Sequence, residues 1–143
     1  MDLTIRDAQA ADAAVIAELL GELGYPTESA AVKERLERLL IVGDRVVVAE
    51  LAGSVVGLAH LHVSPTIEHE RPAAKLGALV VSKAHRGQGI GRALVETAEA
   101  EARRRGSGVF FLTTSKRRDD AHGFYESLGL GQTGRRYGRT LSQ

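Results

Sequence analysis

Apolar residues recur along this chain at two spacings, and the switches between them mark its elements. Leu3-Thr4-Ile5-Arg6 alternates and predicts a short strand. Ala13, Ile16, Ala17, Leu20 and Leu23 recur at helical spacing, predicting a helix over Ala10 to Leu23 that Gly24 and Pro26 stop. A second helix is predicted from Ser29 to Leu40. Val32, Leu36, Leu39 and Leu40 lie on one side of it, and Lys33, Glu34, Glu37 and Arg38 on the other. Arg45 to Glu50 is a β-branched run, Ala52-Gly53-Ser54 a turn, and Val55 to Val63 a second run, which together predict a hairpin. Ser64 to Pro72 is polar and reads as a loop. Ala73 to Ser82 ends in Leu79, Val80 and Val81, the continuous apolar pattern of a buried strand.

The turn Arg86-Gly87-Gln88-Gly89-Ile90-Gly91 then opens a helix predicted to run to about Arg105, with Leu94, Val95, Ala98 and Ala102 on its apolar face. Gly106 and Gly108 end it, and Val109 to Thr113 is another strand. Asp119 or Asp120 is placed to cap a short helix ending at Leu128, with Gly129 as its C′ residue. The tail, Gln132 to Leu141, is expected to add a strand. The order β-α-α-β-β-β-α-β-α-β predicts a single α/β domain over 1–143, a mixed sheet flanked by helices. The unit through the glycine turn should be a parallel crossover.

Composition narrows the chemistry. The chain has no cysteine, which excludes disulfides, thiolate nucleophiles and Cys-ligated zinc, and fits the cytoplasm. The net charge of +1, with three Phe, three Tyr and no Trp, argues against a nucleic-acid binder. The N-terminal apolar run is broken by Asp12 and Glu18, unlike a secretory leader. No apolar stretch approaches the roughly 20 residues of a membrane helix.

The sharpest signal is the strand, glycine turn and helix. Glycines let backbone approach a ligand closely, and a helix start presents unpaired N–H groups and the positive end of a dipole. Together these bind pyrophosphate. No GxxxxGK[ST] string is present. A GxGxxG fingerprint fails because the third position is Arg92. Arg86, Gly89 and Gly91 do satisfy Arg/Gln-x-x-Gly-x-Gly/Ala, and LVVSKAHRGQGIGRALVETAEAEARRRG resembles the acetyl-CoA signature of the GCN5-related N-acetyltransferases, the GNAT family. A second segment, AHGFYESLGL from Ala121 to Leu130, is similar to that family's A-x-x-F-Y-x-x-x-G-F, with Leu130 in place of Phe.

The resemblance implies an enzyme that moves an acetyl group from acetyl-CoA directly to a primary amine, on a small molecule or a protein. It implies that backbone groups near Leu79, Val80 and Val81 pair with the pantetheine arm. Backbone N–H groups of Gly87, Gln88, Gly89, Ile90, Gly91 and Arg92, flanked by Arg86, would hold the pyrophosphate. Tyr125 would protonate the departing thiolate. A thiol near pKa 8.5 and a phenol near 10 are close enough for that transfer.

The base is less legible. Many relatives carry a strand glutamate where this chain has Lys75-Leu76-Gly77-Ala78, so no carboxylate carries over. His60 and His62 share one face of their strand by alternation and suit the role by their titration range. The ordinary account, histidines on an open sheet face, is preferred for both. Glu68 and Glu70 in the following loop, and the clusters Arg103-Arg104-Arg105 and Lys116-Arg117-Arg118, read first as solvated charge. The missing carboxylate motivates an alternative, a non-catalytic acyl-CoA-binding regulatory module. No metal, membrane or nucleic-acid partner is expected. A homodimer follows from resemblance only.

Overall fold

The computed structural model describes residues 2–113 and 119–141. They belong to two compact units, Met1–Leu112 and Thr113–Gln143. In the first unit β1 (Leu3–Asp7) leads through a 3-10 turn to α1 (Ala13–Leu23) and α2 (Ser29–Ile41). β2 (Arg45–Leu51), β3 (Ser54–Ser64) and β4 (Ala73–Val81) follow, then α3 (Ile90–Arg104) and β5 (Val109–Leu112). The second unit holds α4 (Asp119–Ser127).

The sheet runs β1-β2-β3-β4-β5. Neighbours are antiparallel except β4 and β5, which are parallel, as the crossover through the glycine turn requires. Each face is covered by a helical stripe. Ala13, Ile16 and Leu19 of α1 and Val32 of α2 bury against Val48, Leu58 and Val80. On the other face α3 buries Ile90, Leu94, Val95, Ala98 and Ala102. Alternation makes this possible: Val47, Ala49, Ala59 and Leu61 sit one residue out of phase with Val48 and Leu58, and all are buried.

α3 seats closely because β3 offers a glycine beneath it. A Cβ on Gly57 would stand 3.0 Å from Leu94 Cδ1, 3.2 Å from Ala49 Cβ and 3.4 Å from Ile90 Cγ2. Leu94 and Ile90 belong to the first two turns of α3, so this contact sets where the helix begins.

Two register shifts bend the sheet. One lies between Ala49 and Glu50 in the β2–β3 pair, the other between Leu58 and His60 in the β3–β4 pair. The second coincides with Ala78 at φ 49, a positive value that costs a side-chain-bearing residue energy and marks a bulge.

The predicted elements from β1 through α4 are found with small changes at their ends. The first helix begins as a 3-10 turn over Ala10–Asp12. Its Asp12 accepts hydrogen bonds from Arg6 Nη1 and Nη2, both at 2.9 Å, and from the Gln9 amide at 2.8 Å. The Arg6 bonds hold the Asp12 carboxyl below its ordinary pKa despite burial. No strand is assigned over residues 132–141. That stretch carries Gly134, Gly138 and three arginines and has little to bury. Gly129 has φ 83 and ends α4 as expected, with Leu130 N bonding Tyr125 O.

Gly57→Val should destabilise the protein by about 1–3 kcal/mol, because the added carbons meet packed side chains that cannot move outward. Urea unfolding should show a lower midpoint at unchanged slope.

Candidate functional site

β4 leads directly into the predicted ligand loop. Beyond Val81 the chain makes a 3-10 turn over Lys83–His85 and reaches Arg86 in extended conformation. His85 N donates to Ser82 O at 2.9 Å within this turn, and three further contacts tie it to its surroundings. Ser82 N donates to Val56 O at 2.8 Å, Lys83 N to Glu22 Oε1 at 2.8 Å, and Arg86 Nε to Val81 O at 3.2 Å. Part of the Arg86 guanidinium thus anchors the loop to its own strand.

Gly87 and Gly89 take φ 79 and 83, the left-handed region where glycine is free of the Cβ penalty. Gly89 is the N-cap of α3, and no side chain caps the helix. A Ser or Asp there would occupy an amide of the first turn. Ala93, bonding Gly89 O at 3.1 Å, is the first amide with a helical carbonyl. The amides of Ile90, Gly91 and Arg92 therefore face the end of the helix, with the dipole behind them. Ile90 is buried at 1% and Arg92 is exposed, so the turn is anchored on one side and open on the other.

β4 also has a stretch of edge without a strand partner among the described residues. Its pairing with β5 runs from Ala73↔Val109 to Leu76↔Leu112 and stops, while β4 continues to Val81. Among the described residues the backbone of Gly77 to Val81 has no β5 neighbour. Val80's side chain packs into the α1 core, so only its backbone faces that edge, whereas Leu79 and Val81 are half-buried. Pairing groups of an extended chain and an anion cradle thus follow one another along a single strand and turn. That sequence suits an extended polar arm ending in a pyrophosphate.

His60 and His62 are not simply histidines on an open face. Both bind the same carboxylate. His60 Nε2 lies 2.6 Å from Asp44 Oδ2, and His62 Nδ1 lies 2.6 Å from Asp44 Oδ1. Asp44 is only 7% exposed. Burial alone would raise its pKa, but the bonds from His62 and His60 outweigh that and hold it below the ordinary carboxylate value. Asp44 is the residue that the linear pattern did not reveal. It sits just before β2, and only the hairpin register brings it to the two histidines.

Tyr125 belongs to α4 in the second unit, where it is half-buried with its ring 5.5 Å from that of Phe124. Glu68 and Glu70 lie in an exposed loop. Lys116, Arg117 and Arg118 lie outside the described residues. Arg103-Arg104-Arg105 is not mere solvated charge. Arg104 and Arg105, with Arg45, surround Glu101, which is 5% exposed, and Arg105 also donates to Gly43 O at 2.6 Å. A cleft of about 390 Å³ opens beside them, at the far end of α3 from the glycine loop. Its ionic groups pair with one another or with the histidines.

The model of the acetyltransferase (GNAT) family matches residues 13–130. The chain belongs to the GNAT family. Its five-stranded mixed sheet flanked by helices is that fold. It is 38% identical over 89 residues to the aminoalkylphosphonate N-acetyltransferase of Salmonella typhimurium, a match covering 62% of this chain and 58% of that protein. The chain thus spans a little over half the length of that relative. Among solved structures it resembles a Trypanosoma brucei acetyltransferase with TM-score 0.84 and 26% identity, over 98% of this chain and 100% of that one. It also resembles a transcriptional regulator from Bacillus halodurans with TM-score 0.89 and 26% identity, over 97% and 99%. No helix among the described residues is long and apolar enough to cross a membrane.

Gly89→Ala should destabilise this GNAT domain by about 1 kcal/mol through the positive φ alone, since no atom lies within 4 Å of the new methyl. The same change at Gly21, inside α1 with equal room, should stabilise it by about 0.5–1 kcal/mol. Thermal unfolding of both variants should give shifts of opposite sign.

Proposed function

We propose that the chain is an acetyl-CoA-dependent N-acetyltransferase that moves the acetyl group directly to a primary amine. The observation that carries this reading is that, among the described residues, β4 runs past its last β5 pair into a glycine-capped helix start. Backbone groups from Leu79 to Val81 take the pantetheine arm, and the amides of Gly87 to Arg92, with Arg86 beside them, take the pyrophosphate. A backbone N–H of the same strand polarises the thioester carbonyl where negative charge develops. Tyr125 donates the proton that the leaving sulfur needs, and His60 or His62 accepts the one that the amine must lose.

The absence of cysteine rules out a cysteine acyl-enzyme and so favours direct transfer. The same absence supports a cytoplasmic location. The acceptor class is drawn from kinship: one relative bears the name aminoalkylphosphonate N-acetyltransferase, which makes a small primary amine the first to try.

Calorimetric titration should show saturable binding of acetyl-CoA and none of NAD. Failure of acetyl-CoA to bind the folded protein would reduce the glycine turn to a structural loop and remove the proposal. Release of CoA thiol in the presence of 2-aminoethylphosphonate or a lysine peptide then reads transfer without background from the protein. Tyr125→Phe should lower kcat by about 100-fold while leaving acetyl-CoA binding in place. An unchanged rate would take Tyr125 out of the mechanism.

A further inference from the structure

Two histidines clamped on one buried carboxylate are a poor way to fill an open sheet face. Each imidazole has two nitrogens, and the bond made by one decides what the other can do. Asp44 is ionised and can only accept, so His60 Nε2 and His62 Nδ1 must both donate to it. In the neutral ring this leaves the lone pair of His60 on Nδ1 and that of His62 on Nε2.

The two lone pairs do not have the same surroundings. His60 stands across from Gly77 on β4 in the strand register, and His62 across from Lys75. A Cβ built on Gly77 would lie 3.9 Å from His60 Nδ1. Nδ1 therefore faces the one position on β4 that carries no side chain. Gly77 is also the first β4 residue past the last β5 pair, Leu76↔Leu112. Among the described residues no hydrogen bond to His60 Nδ1 is present. His60 is more enclosed than His62, with side-chain exposures of 27% and 46%.

We propose that His60 is the catalytic base and Asp44 its positioning residue, which presents His60 Nδ1 at Gly77, where β4 leaves β5. This rests on the acetyltransferase reading given above. His60 Nδ1 takes a proton from the acceptor ammonium, and the imidazolium is stabilised by Asp44. The neutral amine then forms the C–N bond to the thioester carbon, and the C–S bond breaks. The sulfur takes its proton from Tyr125, the nitrogen of the adduct loses one to water, and the proton held on His60 returns through solvent to restore Tyr125. The products are the amide, CoA thiol and one released proton. His62, on the other carboxylate oxygen, keeps Asp44 from turning away.

Among the described residues Asp44 bonds His60, His62 shares that carboxylate, and Lys75 lies opposite His62; Asp7, Arg45, Glu101, Arg104 and Arg105 line the cleft with Asp44. From α2 it is the apolar Leu36 and Leu40 that share the cleft containing Asp44.

Long-range proton–nitrogen NMR on the wild-type protein at neutral pH tests the arrangement without any acceptor. His60 should carry its proton on Nε2. A proton on Nδ1 would overturn the proposal, because no lone pair would then face Gly77. In Asp44→Asn the fixed tautomer should be lost. His60→Gln should lower kcat/KM for 2-aminoethylphosphonate or a lysine peptide by about 100-fold at pH 7, with acetyl-CoA affinity kept within twofold. The deficit should close near pH 10, where a lysine-like amine sheds its own proton in water. His62→Gln should cost far less. Equal activity of His60→Gln and wild type, or a larger loss in His62→Gln, would sink the assignment while leaving the acetyltransferase reading intact. A wild-type protein that does not bind acetyl-CoA would remove both. Should Asp44→Asn fail to fold, the wild-type spectrum and His60→Gln still decide.

Discussion

The close seating of α3 on the sheet is the constraint from which the rest follows. A helix can start within hydrogen-bonding reach of a strand's end only if its first turns lie low against the sheet. Here Ile90 and Leu94 come down onto Gly57, where even a methyl group would crowd them. Ile90 and Leu94 are almost wholly buried, so the helix is held by its own first turn and not by its far end alone. The loop between β4 and α3 has little slack. It is tied at Glu22, Val56 and Val81 before the glycines begin. The direction of the open amides is therefore a property of the core, and core packing and ligand geometry are one problem.

The other end of α3 is fixed by charge. Glu101 is buried with Arg45, Arg104 and Arg105 around it, and Arg105 reaches back to the carbonyl of Gly43. A buried carboxylate with so many donors is costly to break and adds little as net stability. Its consequence is registry. Arg45 opens β2 and Gly43 precedes it, so the cluster pins the C-terminal end of α3 to the strand entry that carries Asp44.

Much of this was legible in the chain because the relevant signals are local. Apolar spacing located α1, α2 and α3, and the run Leu79-Val80-Val81 located the buried strand. Arg86, Gly89 and Gly91 lie within one turn of each other, so a short motif could describe the loop. Asp44 was not legible, for a reason of register. The turn at Ala52-Gly53 pairs Leu51 with Ser54, and unbroken pairing would set Arg45 against His60 and Asp44 against Leu61. The shift between Ala49 and Glu50 moves the pairing by one, to Arg45↔Leu61. One residue of slip transfers a side chain to the opposite face. The same holds for Gly77, which meets His60 only because β4 bulges at Ala78. Neither bulge has a signature in the residues that form it.

The bare N-cap of α3 has a consequence of its own. A helix that begins on glycine forgoes the side-chain hydrogen bond that most helix starts use, and leaves its first turn less well satisfied. An anion seated on those amides supplies the missing acceptors, so the bound metabolite becomes the helix cap. On the proposed reading, ligand binding and folding would then be coupled. A ligand present at one hundred times its dissociation constant adds about 2.7 kcal/mol to the stability of whatever binds it. A protein capped in this way would unfold at a higher temperature with the ligand than without it.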